Sequence, residues 1–134
     1  MVRHLDEQTA IAGQISPQDV PGLAAQGFRM IINNRPDGEA PGQPSGAEIA
    51  AAAEAAGVAY RAIPVRQLDP GAVEETGRAL DEAEGPVLAF CAAGTRSTFM
   101  WALARSARGA DADDLVERAL EAGVDLSPIR RFLR

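Results

Sequence analysis

Residues 85–97 read Gly-Pro-Val-Leu-Ala-Phe-Cys-Ala-Ala-Gly-Thr-Arg-Ser, and this stretch decides the fold. Val87 to Phe90 is an uninterrupted apolar run launched by a Gly-Pro turn, the pattern of a strand buried on both faces of a parallel sheet. The run stops at Cys91, the only cysteine of the chain. Ala92, Ala93, Gly94 and Thr95 come next, all small, and Gly94 is able to take a positive φ at no steric cost. Arg96-Ser97 then open a helical pattern that continues through Phe99, Leu103 and Ala107. The predicted unit is strand, tight loop and helix N-terminus, with a thiol at the strand tip and a guanidinium in the first helical turn.

Such a unit is a cradle for an anion. Successive backbone N–H groups of a tight loop point inward, and the unpaired N–H groups and dipole of the next helix add positive potential. A cysteine held there has its thiolate favoured, so its pKa is expected below the free-thiol value of ~8.5. The thiolate is the nucleophile. Cys91 and Arg96 are therefore the first candidate catalytic residues, Ala92, Ala93, Gly94, Thr95 and Arg96 the candidate anion-binding loop, and Ser97 a hydrogen-bond donor to the sulfur. A lone cysteine ending a core strand is often an inert, buried residue; the company of Gly94, Arg96 and Ser97 argues for function.

Outward from this unit, the chain alternates strand and helix. Val2–Leu5 and Thr9–Ala12 are expected as short strands joined by Asp6-Glu7-Gln8, and a short helix punctuated by Ser16-Pro17 and Pro21 ends at Gly27. Phe28–Ile32 is a buried strand, and residues 35–45, with three prolines and two glycines, form a loop. Ser45-Gly46-Ala47-Glu48 is a capping box opening an alanine-rich helix with Ile49, Ala53 and Ala56 on one stripe, ended by Gly57. A strand lies within Val58–Val65, with pairing expected to end near Pro64. Asp69-Pro70 is an N-cap and first-turn pair starting a helix with Val73, Gly77 and Leu80 inward. Helices at 97–108 and near 112–122 come after it, and a basic turn, Ile129–Arg134, closes the chain. Three arginines there (Arg130, Arg131, Arg134) suit a solvated helix end, with an acidic partner a lesser alternative.

This alternation implies an α/β fold, a single domain over residues 1–134 with a mainly parallel sheet flanked by helices. Ligands of such sheets bind beyond the carboxyl ends of the strands. Asn33–Glu39, Arg66–Asp69 and Cys91–Ser97 are expected to converge there. The chain has 134 residues, 46% of them hydrophobic and 24% charged, and a net charge of −6. That balance argues against nucleic acid or an anionic membrane as partner. A lone cysteine fits a reducing cytoplasm, and no signal peptide or apolar span of membrane length is seen. His4 is the only histidine and has no cluster of ligands around it, so neither metal nor cofactor is expected.

Cys-x-x-Gly-x-Arg-Ser after Val-Leu-Ala-Phe resembles the bacterial phosphatase-like domain of beta-lactamase-hydrolase-like proteins. Ile-Ile-Asn-Asn-Arg-Pro-Asp-Gly-Glu (31–39) and Tyr-Arg-Ala-Ile-Pro-Val (60–65) extend the resemblance, which reaches to about Ala107. It implies a relative of the dual-specificity and tyrosine phosphatases, in which the cysteine attacks phosphorus and the arginine holds the phosphoryl oxygens. The substrate is then a small anion, and hydrolysis passes through a phosphocysteine. Ser97 would ease the departure of the thiolate. An acid for the leaving group is then sought at Asp69, with Asp37 in reserve; an N-cap and a turn residue are their plainer roles.

The spacing departs from that family. Phosphatases of the superfamily place five residues between cysteine and arginine, and usually a histidine before the cysteine. Here four intervene, and Phe90 precedes Cys91. Four is common in rhodanese sulfurtransferases, whose cysteine carries a persulfide, although no Gly-Gly-bearing strand of that fold comes after it and Ala92 removes the positive charge often found there. Sulfur transfer through a Cys91 persulfide is thus the alternative. A non-catalytic module that senses an anion or an oxidant is the third reading.

Overall fold

A computed structural model describes residues 2–134. Five strands, β1 (Arg3–His4), β2 (Thr9–Ala12), β3 (Met30–Asn33), β4 (Ala59–Ala62) and β5 (Val87–Phe90), form one sheet in the order β1-β2-β5-β3-β4. Only β1 runs antiparallel, against β2; the other pairs are parallel. The apolar run that ends at Cys91 is therefore the middle strand. Ala12 and Asn33 lie level with Phe90 on its two sides. The loops leaving β2, β3 and β5 therefore open on the same edge of the sheet.

The strand pattern explains the two cores. Side chains alternate between faces along a strand. Ile11, Met30, Ile32, Val87 and Ala89 enter one core, while Ala10, Ala12, Ile31, Leu88 and Phe90 enter the other. Helices α1 (Val20–Ala25) and α2 (Gly46–Ala56) cover the second of these. Helices α3 (Pro70–Glu82), α4 (Thr95–Ala107) and α5 (Ala112–Glu121) cover the first, closed by the 3-10 turn Ser127–Phe132 through Ile129. The architecture is α/β with a mainly parallel sheet flanked by helices, as the alternation predicts.

Local chemistry places the helix starts where expected. The Ser45 hydroxyl accepts from the Glu48 N–H at 3.1 Å, Glu48 accepts in return from the Ser45 N–H, and Gly57 at φ 73° closes α2. Asp69 caps α3 by accepting from the Gly71 N–H at 2.9 Å, with Pro70 in the first turn. At the edge strand β4, hydrogen bonds step over Pro64: Ile63 donates to Asn33 and Val65 to Asn34, each at 2.9 Å. Pairing thus ends near Pro64 as expected, the last bond falling one residue beyond it, because an edge proline needs no donor on its solvent side.

Helix α4 departs from expectation in two ways. It begins at Thr95, one residue before Arg96. Its buried residues are Ser97, Thr98, Met100, Trp101, Ala102, Ala104 and Ser106, whereas Phe99 and Leu103 are only partly buried and Ala107 is exposed. The helix packs on the sheet on one side and on α3 and α5 on others, so its apolar residues do not form one clean stripe. Trp101 donates its indole N–H to Asp6 at 3.0 Å, and the same carboxylate accepts from the Gln8 and Thr9 N–H groups. That carboxylate fixes the turn between β1 and β2 against α4. No helix among the described residues is long and apolar enough to cross a membrane.

Candidate active site

The loop after β5 is held by its carbonyls. The Ala92 carbonyl accepts from the Gln14 N–H at 3.2 Å, the Ala93 carbonyl from the Arg3 guanidinium at 2.8 Å, and the Gly94 carbonyl from both the N–H and the hydroxyl of Thr98. A peptide group points its N–H opposite to its C=O. Three successive carbonyls tied outward therefore leave the N–H groups of Ala93, Gly94 and Thr95 turned to the inside of the loop. The Gly94 N–H reaches the Cys91 sulfur at 3.1 Å. Gly94 has φ 97°, so glycine is required by conformation, and a Cβ there would stand 2.6 Å from the Arg3 guanidinium, which would have to shift. Gly13 matters similarly: a Cβ on it would sit 3.0 Å from the Ala92 carbonyl.

Cys91 is 1% exposed. Burial, the largest single influence on its thiol, pushes the pKa up. The N–H and hydroxyl of Ser97 and the N–H groups of Ala93 and Gly94 act the other way and together win, so the thiol lies below its ordinary value. The Ser97 hydroxyl is fully buried and has no well-formed hydrogen bond. An ionised Cys91 supplies the acceptor that this hydroxyl lacks. Cys91 and Ser97 are thus brought together as the sequence anticipates.

Arg96 is placed by Glu39, which the sequence marks only as the end of a converging segment and not as a site residue. Its guanidinium meets Glu39 in a two-pronged pair, Nη1 to Oε2 at 2.7 Å and Nη2 to Oε1 at 2.9 Å, and Nη1 also donates to the Val65 carbonyl at 2.9 Å. Glu39 also accepts from Arg35 Nε at 3.0 Å, and Arg35 reaches Gln14 at 3.0 Å. The Glu39 carboxyl is held down at about 2, first by its hydrogen bond to Arg96. Arg96 is raised in turn, mainly by Glu39 and less by the Cys91 sulfur. Its two terminal nitrogens serve Glu39 and Val65, yet it remains electrostatically coupled to the thiol. Nothing local announces Glu39, because 57 residues separate the partners; the acidic end of the Asn-Arg-Pro-Asp-Gly-Glu loop, facing the carboxyl edge of the sheet, was the only signal.

The two acid candidates lie elsewhere. Asp69 is engaged with the Gly71 N–H, and Asp37 with the Gly46 N–H at 2.8 Å. Both line a groove of ≈ 630 Å³ formed by Pro36, Pro64, Arg66 and their neighbours. A smaller cleft of ≈ 170 Å³ lies against Arg96 itself, walled by Val65, Arg66, Leu68, Phe99 and Met100. Residues 33–39 and 65–68 thus converge on Arg96, while Asp69 caps α3 and Asp37 accepts from the first N–H of α2 beside the crevice. Among the described residues no group of three or more His, Cys, Asp or Glu side chains is gathered as a metal would require. Of the C-terminal arginines, Arg130 pairs with Asp113 and Arg131 lies 4.8 Å over the Phe132 ring.

A mainly parallel sheet with a cysteine loop at the carboxyl end of its central strand is a cysteine-phosphatase-like fold. Solved structures place the chain in that class. A crystal structure of a phosphatase candidate from Neisseria meningitidis is 38% identical, with a TM-score of 0.83 over 96% of this chain and 93% of that one. The Pseudomonas aeruginosa protein TpbA, solved as a cysteine-to-serine variant with phosphotyrosine, shares the fold at 20% identity and a TM-score of 0.68, over 98% of this chain and 79% of that one. The chain belongs to the family of the phosphatase-like domain of beta-lactamase hydrolase-like proteins, whose profile matches residues 1–108. The beta-lactamase hydrolase-like protein of Agrobacterium fabrum is 42% identical over 96% of this chain, and that of Xylella fastidiosa strain Temecula1 is 38% identical over 97%. The chain spans 31% of the length of each.

Proposed function

We propose that this chain is a cysteine-dependent phosphatase-like hydrolase, with Cys91 as nucleophile and Arg96 with the loop amides as the anion clamp. The observation that carries this reading is the outward tethering of the Ala92, Ala93 and Gly94 carbonyls, which leaves preorganised donors facing the sulfur. The Cys91 thiolate attacks phosphorus, the ester P–O bond breaks, and the leaving group departs with the bonding pair. Water then attacks phosphorus, the P–S bond breaks, and phosphate and the thiolate are released. The Ser97 hydroxyl stabilises the departing thiolate. Arg96 holds the phosphoryl oxygens through the side of its guanidinium that Glu39 leaves free.

The leaving group sets the substrate class. Asp37 and Asp69 are both engaged at helix starts, which supports a leaving group that is stable as an anion. Aryl phosphates, phosphotyrosine side chains among them, meet that demand better than alkyl phosphates.

One observation favours a second reading, sulfur transfer. With four residues between Cys91 and Arg96 the ring of amides is small, and its Gly94 N–H is already spent on the sulfur at 3.1 Å. In that chemistry the thiolate takes the outer sulfur of thiosulfate, the S–S bond breaks and sulfite leaves. Cyanide then removes the sulfur as thiocyanate and restores the thiolate. The test runs a small aryl phosphate in parallel with thiosulfate plus cyanide, using wild type and Cys91→Ser. Phosphate release that vanishes in Cys91→Ser is the expected result. Thiocyanate formation without phosphate release would overturn the hydrolase reading in favour of the second.

A further inference from the structure

We infer that Arg3, 90 residues before Ala93 in the chain, is a positioning residue for Cys91, acting through the single peptide group that joins Ala93 to Gly94. The inference rests on the reading of Cys91 as a working thiolate. The carbonyl of that peptide accepts from Arg3 Nη2 at 2.8 Å, and its N–H donates to the Cys91 sulfur at 3.1 Å. A cation on the carbonyl oxygen draws electron density along the amide and makes the N–H a stronger donor, the cooperativity of a hydrogen-bond chain. It also holds the plane of the peptide, since rotation that turned the N–H from the sulfur would break the Arg3 contact.

Three further observations bear on this. Arg3 Nη1 donates to the Ala122 carbonyl at 2.8 Å, at the C-terminal end of α5. The guanidinium is thereby gripped at both ends and serves two carbonyls at once, a task suited to its planar fork. Among the described residues no carboxylate lies within 4.0 Å of Arg3, so its charge is not neutralised by a neighbour. And the loop is shaped around it: Gly94 comes so close that a Cβ would fall 2.6 Å from Nη2, and Gly123 leaves 3.3 Å to Nη1. The charged groups that bear on the sulfur are then Arg96 from α4, with Glu39 behind it, and Arg3 from β1, one amide removed.

The experiment reads the thiol and needs no substrate. Cys91 is the only cysteine, so thiolate absorbance in the ultraviolet follows it alone, with Cys91→Ser as the blank. Arg3→Gln keeps a donor but removes the charge; Arg3→Lys keeps the charge but serves only one carbonyl. The inflection is expected to rise in the order wild type, Arg3→Lys, Arg3→Gln, by about one pH unit in the last, which is about tenfold less thiolate at a pH below both inflections. Coincident titrations in folded variants would overturn the inference and leave Arg3 a structural tie between β1 and α5. A wild-type inflection at the free-thiol value would instead remove the thiolate reading itself. Should the variants not fold, the wild type still decides: the Gly94 amide and Arg3 guanidinium nitrogen resonances should shift with pH at the Cys91 midpoint. An Arg3 signal that stays still through that midpoint defeats the proposal.

Discussion

The two walls of the crevice are built differently. On one side, the loop Cys91–Thr95 extends the middle strand of the sheet, and its successive carbonyls are bound by Gln14, Arg3 and Thr98. On the other, Arg66, Gln67, Leu68 and Asp69 are all exposed, and the segment is tied down only at Asp69, which caps α3. Preorganised donors cost no reorganisation when charge develops, whereas an exposed, weakly tied segment adapts to what is brought to it. The rigid wall is therefore suited to the reacting atoms and the compliant wall to the body of the substrate. Substitutions should divide the same way, severe on the first wall and mild on the second.

The largest effect is expected at Cys91. Cys91→Ser replaces the thiolate by a hydroxyl that stays protonated, and turnover should fall by at least ~10⁴-fold with the folded state kept. Steady-state rates and circular dichroism on the same samples check this. Residual turnover within tenfold of wild type would remove the cysteine from the mechanism. Next comes Arg96→Lys. A single ammonium cannot reproduce the fork that meets Glu39 and the Val65 carbonyl while holding an oxyanion, and a loss of ~10²- to 10³-fold is expected. Near-normal turnover would make Arg96 a structural latch only.

These ranks also show what could be read from sequence. The central strand and its loop were legible because an apolar tetrad between Gly-Pro and a small-residue run has few other solutions, and the starts of α2 and α3 were legible from Ser45-x-x-Glu48 and Asp69-Pro70. The ties that orient the site were not. Arg3 and Ala93 lie 90 residues apart, Glu39 and Arg96 lie 57 apart, and single long-range contacts leave no periodicity. The buried face of α4 is not legible for a related reason, since a helix packed on several sides carries no single stripe.

Glu39→Gln tests the join between the loop at 33–39 and the rigid wall. Loss of the two-pronged pair should loosen Arg96 and cost about tenfold in turnover, within the range for a misplaced clamp. The pH dependence is specific. The carboxyl lies at about 2 instead of 4.5, a depressed value, so the stability it contributes is fully present above about 4.5 and is lost as pH falls through about 2. The gap in thermal midpoint between wild type and Glu39→Gln should hold steady from neutral pH down to about 4.5 and close toward about 2. A gap that does not change with pH would mean the pair is not what separates them.

The smallest effect is expected on the compliant wall, at Asp69, where cap and acid can be told apart. The side chain accepts from the Gly71 N–H at 2.9 Å in the ordinary geometry of an N-cap. Asparagine caps as well as aspartate but cannot donate a carboxylic proton, whereas alanine does neither; removing a cap costs ~1 kcal/mol. If capping is the role, Asp69→Asn should match wild type in thermal midpoint and turnover, and Asp69→Ala should lose only stability. If Asp69 swings in to protonate the leaving group, Asp69→Asn should keep its midpoint and lose ~10²-fold or more in turnover. That loss should be greatest on alkyl phosphates, whose leaving oxygen most needs the proton. The second outcome would show that the loose wall carries chemistry after all, and the division between the two walls would fail at the residue whose role is most plainly structural.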